Sequence, residues 1–191
     1  LVLSTGLHGV EGPVGMPMLQ IAHQEVRQRQ SESIGLLMIH ALNPFGYAWS
    51  RRQDQDGVDL NRNFLLKGEK YQGSADVYQK MDSWLNPPSP PRRDAFTIRT
   101  VGRAIRHGIR ATKQSIVEGQ YDFPQGLFYG GSQNSWAMKL LASNWHEWIG
   151  EAKQVLHLDV HSGLGPWGRL QLLGEAPETP SDQRKLMDCF S

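Results

Sequence analysis

Cysteine is almost absent from this chain. Cys189 is the single one in 191 residues, so no intramolecular disulfide can staple the fold. One thiol near a chain end fits a reducing compartment slightly better than an oxidising one, which favours the cytoplasm by a small margin. An excess of charge of one sign is also missing. Lys and Arg number 20 against 19 Asp and Glu, a formal charge of +1. That balance removes any broad electrostatic case for nucleic acid or an anionic membrane as partner. The local cluster of Arg92, Arg93, Arg99, Arg103, Arg106 and Arg110 reads as one solvated helix face. No apolar run approaches the roughly 20 residues of a membrane span. The opening Leu-Val-Leu-Ser-Thr-Gly has neither the basic start nor the long apolar stretch of a signal peptide. It lacks an initiator methionine and reads as a strand already under way, so the chain is expected to be a fragment of a longer polypeptide.

What is present is the composition of an ordinary globular domain, 39% hydrophobic and 20% charged. The length suits one α/β domain with its own core. Val2 to Thr5 is β-rich and breaks at Gly6, which predicts a short buried strand. Val14, Met18, Ile21, Ala22 and Val26 recur at helical spacing and predict a helix over 13–29, with Pro17 near its first turn. Ile34 to Ala41 is a second strand, closed by Asn43-Pro44. Tyr47 to Leu66 is polar and reads as a long loop, of the kind that often carries function.

After the prolines at 87, 88, 90 and 91 a helix should place Ile98, Val101, Ile105 and Ile109 on one face and the arginines on the other. Tyr121 to Ser135 is rich in glycine and aromatics and again loop-like. A helix over 134–150 follows, in which Trp136, Trp145 and Trp148 read as core packing. Val155 to Val160 and Leu170 to Leu173 complete the strands. Strands alternating with helices predict the α/β class: a mostly parallel or mixed central sheet with helices on both faces.

Three segments concentrate the chemistry. Thr5-Gly6-Leu7-His8-Gly9-Val10-Glu11-Gly12 leaves the first strand, with an imidazole and a carboxylate three residues apart in a turn flanked by glycines. Such a pair can meet one zinc ion at about 2.0–2.2 Å from each, and the glycines let the backbone bend enough to aim both side chains inward. Leu158-Asp159-Val160-His161-Ser162-Gly163 leaves a later strand and offers a third ligand. Two His and one Glu, with a position left for water, make the catalytic zinc pattern. In open parallel sheets ligands gather at the carboxyl ends of strands, where both histidines should fall. His157 alternates onto the same strand face as Asp159 and His161 and is the nearest rival ligand. The histidines at 23, 40, 107 and 146 read as structural or surface residues.

The third segment is Asn43-Pro44-Phe45-Gly46-Tyr47, then Ser50-Arg51-Arg52, then Gly57-Val58-Asp59-Leu60-Asn61-Arg62-Asn63-Phe64. A His-Gly-x-Glu turn, Asn-Pro-x-Gly, Asp-x-Asn-Arg-Asn-aromatic and a later His-Ser-Gly, in that order, resemble the zinc-carboxypeptidase family, of which carboxypeptidase A is the prototype. The resemblance covers about residues 1–170 and looks closest to a bacterial branch with short connecting loops. The wider group includes aspartoacylase and succinylglutamate desuccinylase, which share the Asp-Leu-Asn-Arg element.

The resemblance implies a carboxypeptidase-like three-layer sandwich and one zinc ion per chain, held by His8, Glu11 and His161. Residues 1–191 would then be a single zinc-peptidase catalytic domain lacking its C-terminal part. Asn61 and Arg62 match the pair that grips a substrate's terminal carboxylate, which suits a planar guanidinium. One of Arg51 and Arg52, with Arg52 slightly preferred, matches the arginine that polarises the scissile carbonyl. Asp59 matches a carboxylate that accepts a hydrogen bond from a ligand histidine, and Asp159 is a weaker candidate for the same work.

The implied reaction is zinc-assisted hydrolysis of an amide next to a free carboxylate, with a glutamate as general base. That glutamate normally lies well downstream of the third ligand. Glu175 and Glu178 sit too near it, so the chain alone is expected to bind zinc without efficient turnover. The implied substrate is a peptide. An N-acyl amino acid, processed by a deacylase of the aspartoacylase type, is the alternative, and a non-catalytic zinc-dependent binding domain is a third reading. The sequence leaves oligomeric state open.

Overall fold

Val2, Leu3, Ser4 and Thr5 form strand β1 (Val2–Thr5), buried along its whole length. It lies between β2 (Leu37–Ile39) and β3 (His157–Val160) in a three-stranded sheet whose pairings are both parallel. A strand covered on both edges and both faces needs no polar alternation, which is why β1 reads as one short run. Val2 stands opposite both Leu37 and His157, and Ser4 opposite Ile39 and Asp159. Because the three strands run the same way, the segments after Thr5, Ile39 and Val160 all leave from one edge of the sheet. The computed structural model describes residues 1–29, 34–66, 68–88, 98, 101–102, 105, 108–163, 165–169, 171, 173 and 184.

Helix α1 (Gly12–Gln28) follows β1 and packs against it. Pro17 lies inside this helix rather than in its first turn, because the helix begins at Gly12. The missing N–H removes only the bond to the Pro13 carbonyl, and the helix continues. The expected loop from Tyr47 is shorter than read. Helix α2 (Pro44–Ala48) occupies its start, because the Asn43 side chain accepts from Gly46 N at 2.8 Å and caps it. A 3-10 turn at Leu60–Arg62 breaks the rest, capped by Asp59.

Helix α3 (Asp76–Leu85) was not anticipated, although Tyr78 and Met81, both fully buried, sit at helical spacing. The helix expected from Ile98 onward falls mostly outside the described residues, as do all its arginines except Arg110. Ile98, Val101, Ile105 and Ile109 are exposed. Gly108, at φ +86°, starts a new helix, α4 (Ile109–Val117), which buries Thr112 and Ser115 instead.

Helix α5 (Trp136–Ile149) is capped by Ser135, whose side chain accepts from Met138 N. It buries Ala137 and Leu141, four residues apart, and Trp145 continues that stripe one turn on. Trp136 and Trp148 are exposed and Trp145 is half-buried, which corrects the reading of all three as core. The core joins Leu7, Leu42, Val58, Leu60, Tyr129, Ala137 and Leu141. Leu7 and Leu42 come from the segments that leave β1 and β2, and Ala137 and Leu141 from α5. The fourth strand, read at Leu170 to Leu173, lies partly outside the described residues. The chain divides into two compact units, Leu1–His161 and Ser162–Ser191. The class is α/β, as the sequence predicts. No helix among the described residues is long and apolar enough to cross a membrane.

Candidate metal centre

The exits of β1 and β3 are neighbours because the two strands pair directly, and this brings His8 and His161 together from positions far apart in the chain. Their rings lie 4.9 Å apart, centroid to centroid. Glu11 comes from the short 3-10 helix Gly9–Glu11 that continues from His8. Its Oε1 is 3.0 Å from His8 Nδ1, and its Oε2 is 3.2 Å from His161 Nδ1. One ligand atom from each of the three residues falls within 4.8 Å of the others, a spacing that can hold one metal ion. The donor set of two imidazoles and a carboxylate fits a divalent transition ion.

The opposite nitrogen of each ring is also backed by a carboxylate. His8 Nε2 is 3.2 Å from Asp59 Oδ1, and His161 Nε2 is 2.7 Å from Asp159 Oδ2. A carboxylate behind the distal nitrogen fixes ring orientation and leaves Nδ1 to face the ion. Asp59 is fully buried and also accepts from Asn61 N at 3.0 Å and from Arg52 Nε at 2.8 Å. Burial alone would raise its pKa, but the hydrogen bonds and charges of His8 and Arg52 outweigh it and hold the carboxyl below its ordinary value.

Each imidazole between two carboxylates is stabilised as the cation. For His8 burial opposes this, yet the bonds to Asp59 and Glu11 prevail and raise its pKa. His161 is pushed up to about 9, first by Asp159 and then by Glu11, against the opposing effect of burial. Its raised value gives the metal-free fold stability that is complete below the unfolded pKa of about 6.5 and disappears as pH climbs through about 9. Chelator-treated protein is therefore expected to show a falling urea midpoint between pH 6.5 and 9.5. A flat or rising midpoint would contradict this ring environment.

Of the two arginines after α2, Arg52 is the one bound to the site. Its Nε holds Asp59, and its guanidinium lies 4.7 Å from the centroid of the Phe128 ring. Arg51 is exposed, and its backbone carbonyl accepts from Val10 N at 2.9 Å. Asn61 is exposed beside Asp59. Arg62 donates from Nε to the Val117 carbonyl at 3.1 Å and from Nη1 to the Asn61 carbonyl at 2.8 Å, so it caps the end of α4.

Two further residues shape the site without a clear mark in the sequence. Asn63 is fully buried and clamps the segment after Tyr129, donating to Gly130 O and Gln133 O and accepting from Ser135 N. Phe128 takes φ +55°, unusual for an aromatic residue, and provides the platform under Arg52. Asn63 was visible as part of the Asp-x-Asn-Arg-Asn run, whereas nothing local marks Phe128. Glu175 and Glu178 lie outside the described residues.

The glycines of the first motif do two different jobs. Gly6 turns the chain at φ +68°, but Gly9 and Gly12 have ordinary φ and instead make room. A Cβ on Gly9 would lie 2.0 Å from the Gly46 carbonyl carbon, and one on Gly12 2.2 Å from the Tyr47 ring. The bend expected at Gly9 is thus a close approach of two loops.

Fold and site together define an α/β protein with a cluster able to bind one metal ion at the carboxyl edge of a parallel sheet. The chain belongs to the family described as Protein of unknown function (DUF2817), whose model matches residues 1–190. No curated protein and no solved structure matches it.

Proposed function

We propose that the chain hydrolyses an amide bond next to a free carboxylate in a zinc-dependent, carboxypeptidase-like reaction. One observation carries the reading: both histidines turn Nδ1 onto the same Glu11 carboxylate while a second carboxylate backs each Nε2. Two His and one Glu make up a catalytic rather than a structural zinc set, with a coordination position to spare. A zinc ion held there would supply Lewis acidity and lower the pKa of a water.

The chain's own residues would supply charge stabilisation and a grip on the substrate, while the general base is expected from outside residues 1–191. Arg52, pinned by Asp59 and Phe128, puts a fixed cation beside the ligands, where it would stabilise negative charge growing on a carbonyl oxygen. Asn61 and Arg62 would take the substrate's terminal carboxylate. Arg62 then exchanges a neutral carbonyl partner, Val117 O, for a charged one with two oxygens, which favours the exchange.

The test is release of the terminal amino acid from N-blocked peptides, and of acetate from N-acetyl amino acids, by the zinc-loaded full-length polypeptide with and without chelator. Peptide release points to the carboxypeptidase, acetate release to the deacylase alternative. Arg52→Ala is expected to lower kcat by roughly 10²–10³ with unchanged zinc content, as loss of one oxyanion donor does. Arg51→Ala should leave kcat near wild type. Failure of the loaded protein on both substrate classes would leave a metal-dependent binding domain.

A further inference from the structure

Behind His161 runs a chain of hydrogen bonds that ends in residues with no role in the reading above. Ser4 of β1 stands opposite Asp159 of β3, so its hydroxyl lies between two β3 side chains that share a face, His157 and Asp159. The hydroxyl donates to Asp159 Oδ1 at 2.6 Å and lies 2.8 Å from His157 Nε2. Asp159 Oδ2 is buried and, among the described residues, pairs with His161 Nε2 at 2.7 Å. We propose that Ser4 and His157 are positioning residues for the metal centre, acting through Asp159 to fix the orientation in which His161 meets the ion. The proposal rests on the metal-binding part of the reading above and not on hydrolysis.

An ionised carboxylate can only accept, and Ser4 has one hydroxyl proton, so the short contact to Oδ1 uses it. The Ser4 oxygen must then accept from His157, which requires the proton of that imidazole on Nε2. Burial lowers the pKa of His157, in keeping with a neutral ring. The chain therefore has one polarity, from His157 through Ser4 to Asp159. With Oδ1 tied down, the carboxylate cannot swing, and Oδ2 keeps the Nε2 proton of His161. Nδ1 of His161 is left as the nitrogen that faces Glu11. Ser4 has no exposed surface, so water cannot stand in for its hydroxyl. The Trp145 ring, 5.7 Å from that of His157, holds the far end in place.

The test is competition for Zn2+ between the whole protein and a chromophoric chelator at one pH. Ser4→Ala and His157→Leu are expected to weaken zinc binding by about tenfold or more, within the range for loss of an outer hydrogen-bond partner. His157→Gln keeps a donor and should stay closer to wild type than His157→Leu. Wild-type affinity in folded Ser4→Ala or in His157→Leu would overturn the proposal. Should Ser4→Ala fail to fold, the two His157 variants decide alone, because His157 stands at the start of β3 and keeps exposed surface. If wild-type protein takes up no zinc, the metal reading itself falls, an outcome distinct from zinc uptake that the variants do not change. A second readout needs no metal: long-range proton–nitrogen spectra of the imidazoles should show His157 protonated at Nε2. A proton on Nδ1 instead would also overturn it.

Discussion

His8→Ala and His161→Ala should each abolish stoichiometric zinc binding, taking a content of about one ion per chain close to zero after dialysis. Either change leaves two donors for an ion that needs at least three from the protein. The loss should exceed the roughly 10–100-fold penalty for removing an outer partner, which is the effect expected of Asp59→Asn. His146→Ala, on the exposed side of α5, is the control and should keep its zinc. Metal analysis with a chelator titration checks all four proteins. Retention of zinc by both ligand variants would mean that other residues hold it. Because protons compete with a metal ion for the ligand nitrogens, uptake should also weaken as pH falls. The short His161–Glu11 and His8–Glu11 contacts are those the ion would replace.

Gly9→Ala is expected to be the most damaging single methyl group that can be added near the site. The added carbon would lie 2.0 Å from one backbone atom of Gly46 and 2.1 Å from Tyr47 N. Backbone cannot rotate away as a side-chain tip can, so the His8 turn and the start of α2 must separate. Overpacking typically costs about 1–3 kcal/mol, and a backbone-on-backbone clash belongs at or above the upper end. Native stabilities are commonly only about 5–15 kcal/mol, so the change takes a large share. It should lower the urea midpoint strongly and weaken zinc binding through the displaced His8 and Glu11. Gly57→Ala is the useful comparison. That glycine has φ +76° but nothing within 4 Å of an added Cβ, so only the backbone penalty applies. A Gly9→Ala protein as stable as wild type would show that the two loops do not touch.

The positions of β1, α1, β3 and α5 were legible because each carries a local signal. Val2 to Thr5 and His157 to Val160 are short β-rich runs next to glycine or a polar exit. Gly12 to Gln28 and Trp136 to Ile149 keep a helical repeat. Hydropathy does not decide local structure where capping or long-range burial outweighs it. Asn43 caps a five-residue helix that runs into what looked like loop, and Trp136 and Trp148 of α5 stay exposed despite their hydropathy. In the site, the motif residues His8, Glu11 and Asp59 announced themselves. Phe128 did not, because its part depends on a ring lying under an arginine far away in the chain.

The order of residues by itself determined which chemistry is available: an imidazole and a carboxylate three apart, a second imidazole after a strand, and an arginine and an aspartate on the segment between. These are properties of local spacing, and local spacing is written in the chain. Only the tertiary structure decided that β3 pairs directly with β1, that Arg52 and not Arg51 holds Asp59, and that Arg62 rests on the end of α4. The pairing of β1 with β3 closes 150 residues of separation between Glu11 and His161. No local preference encodes such a contact, because it exists only once the sheet has formed and its loops have packed against each other.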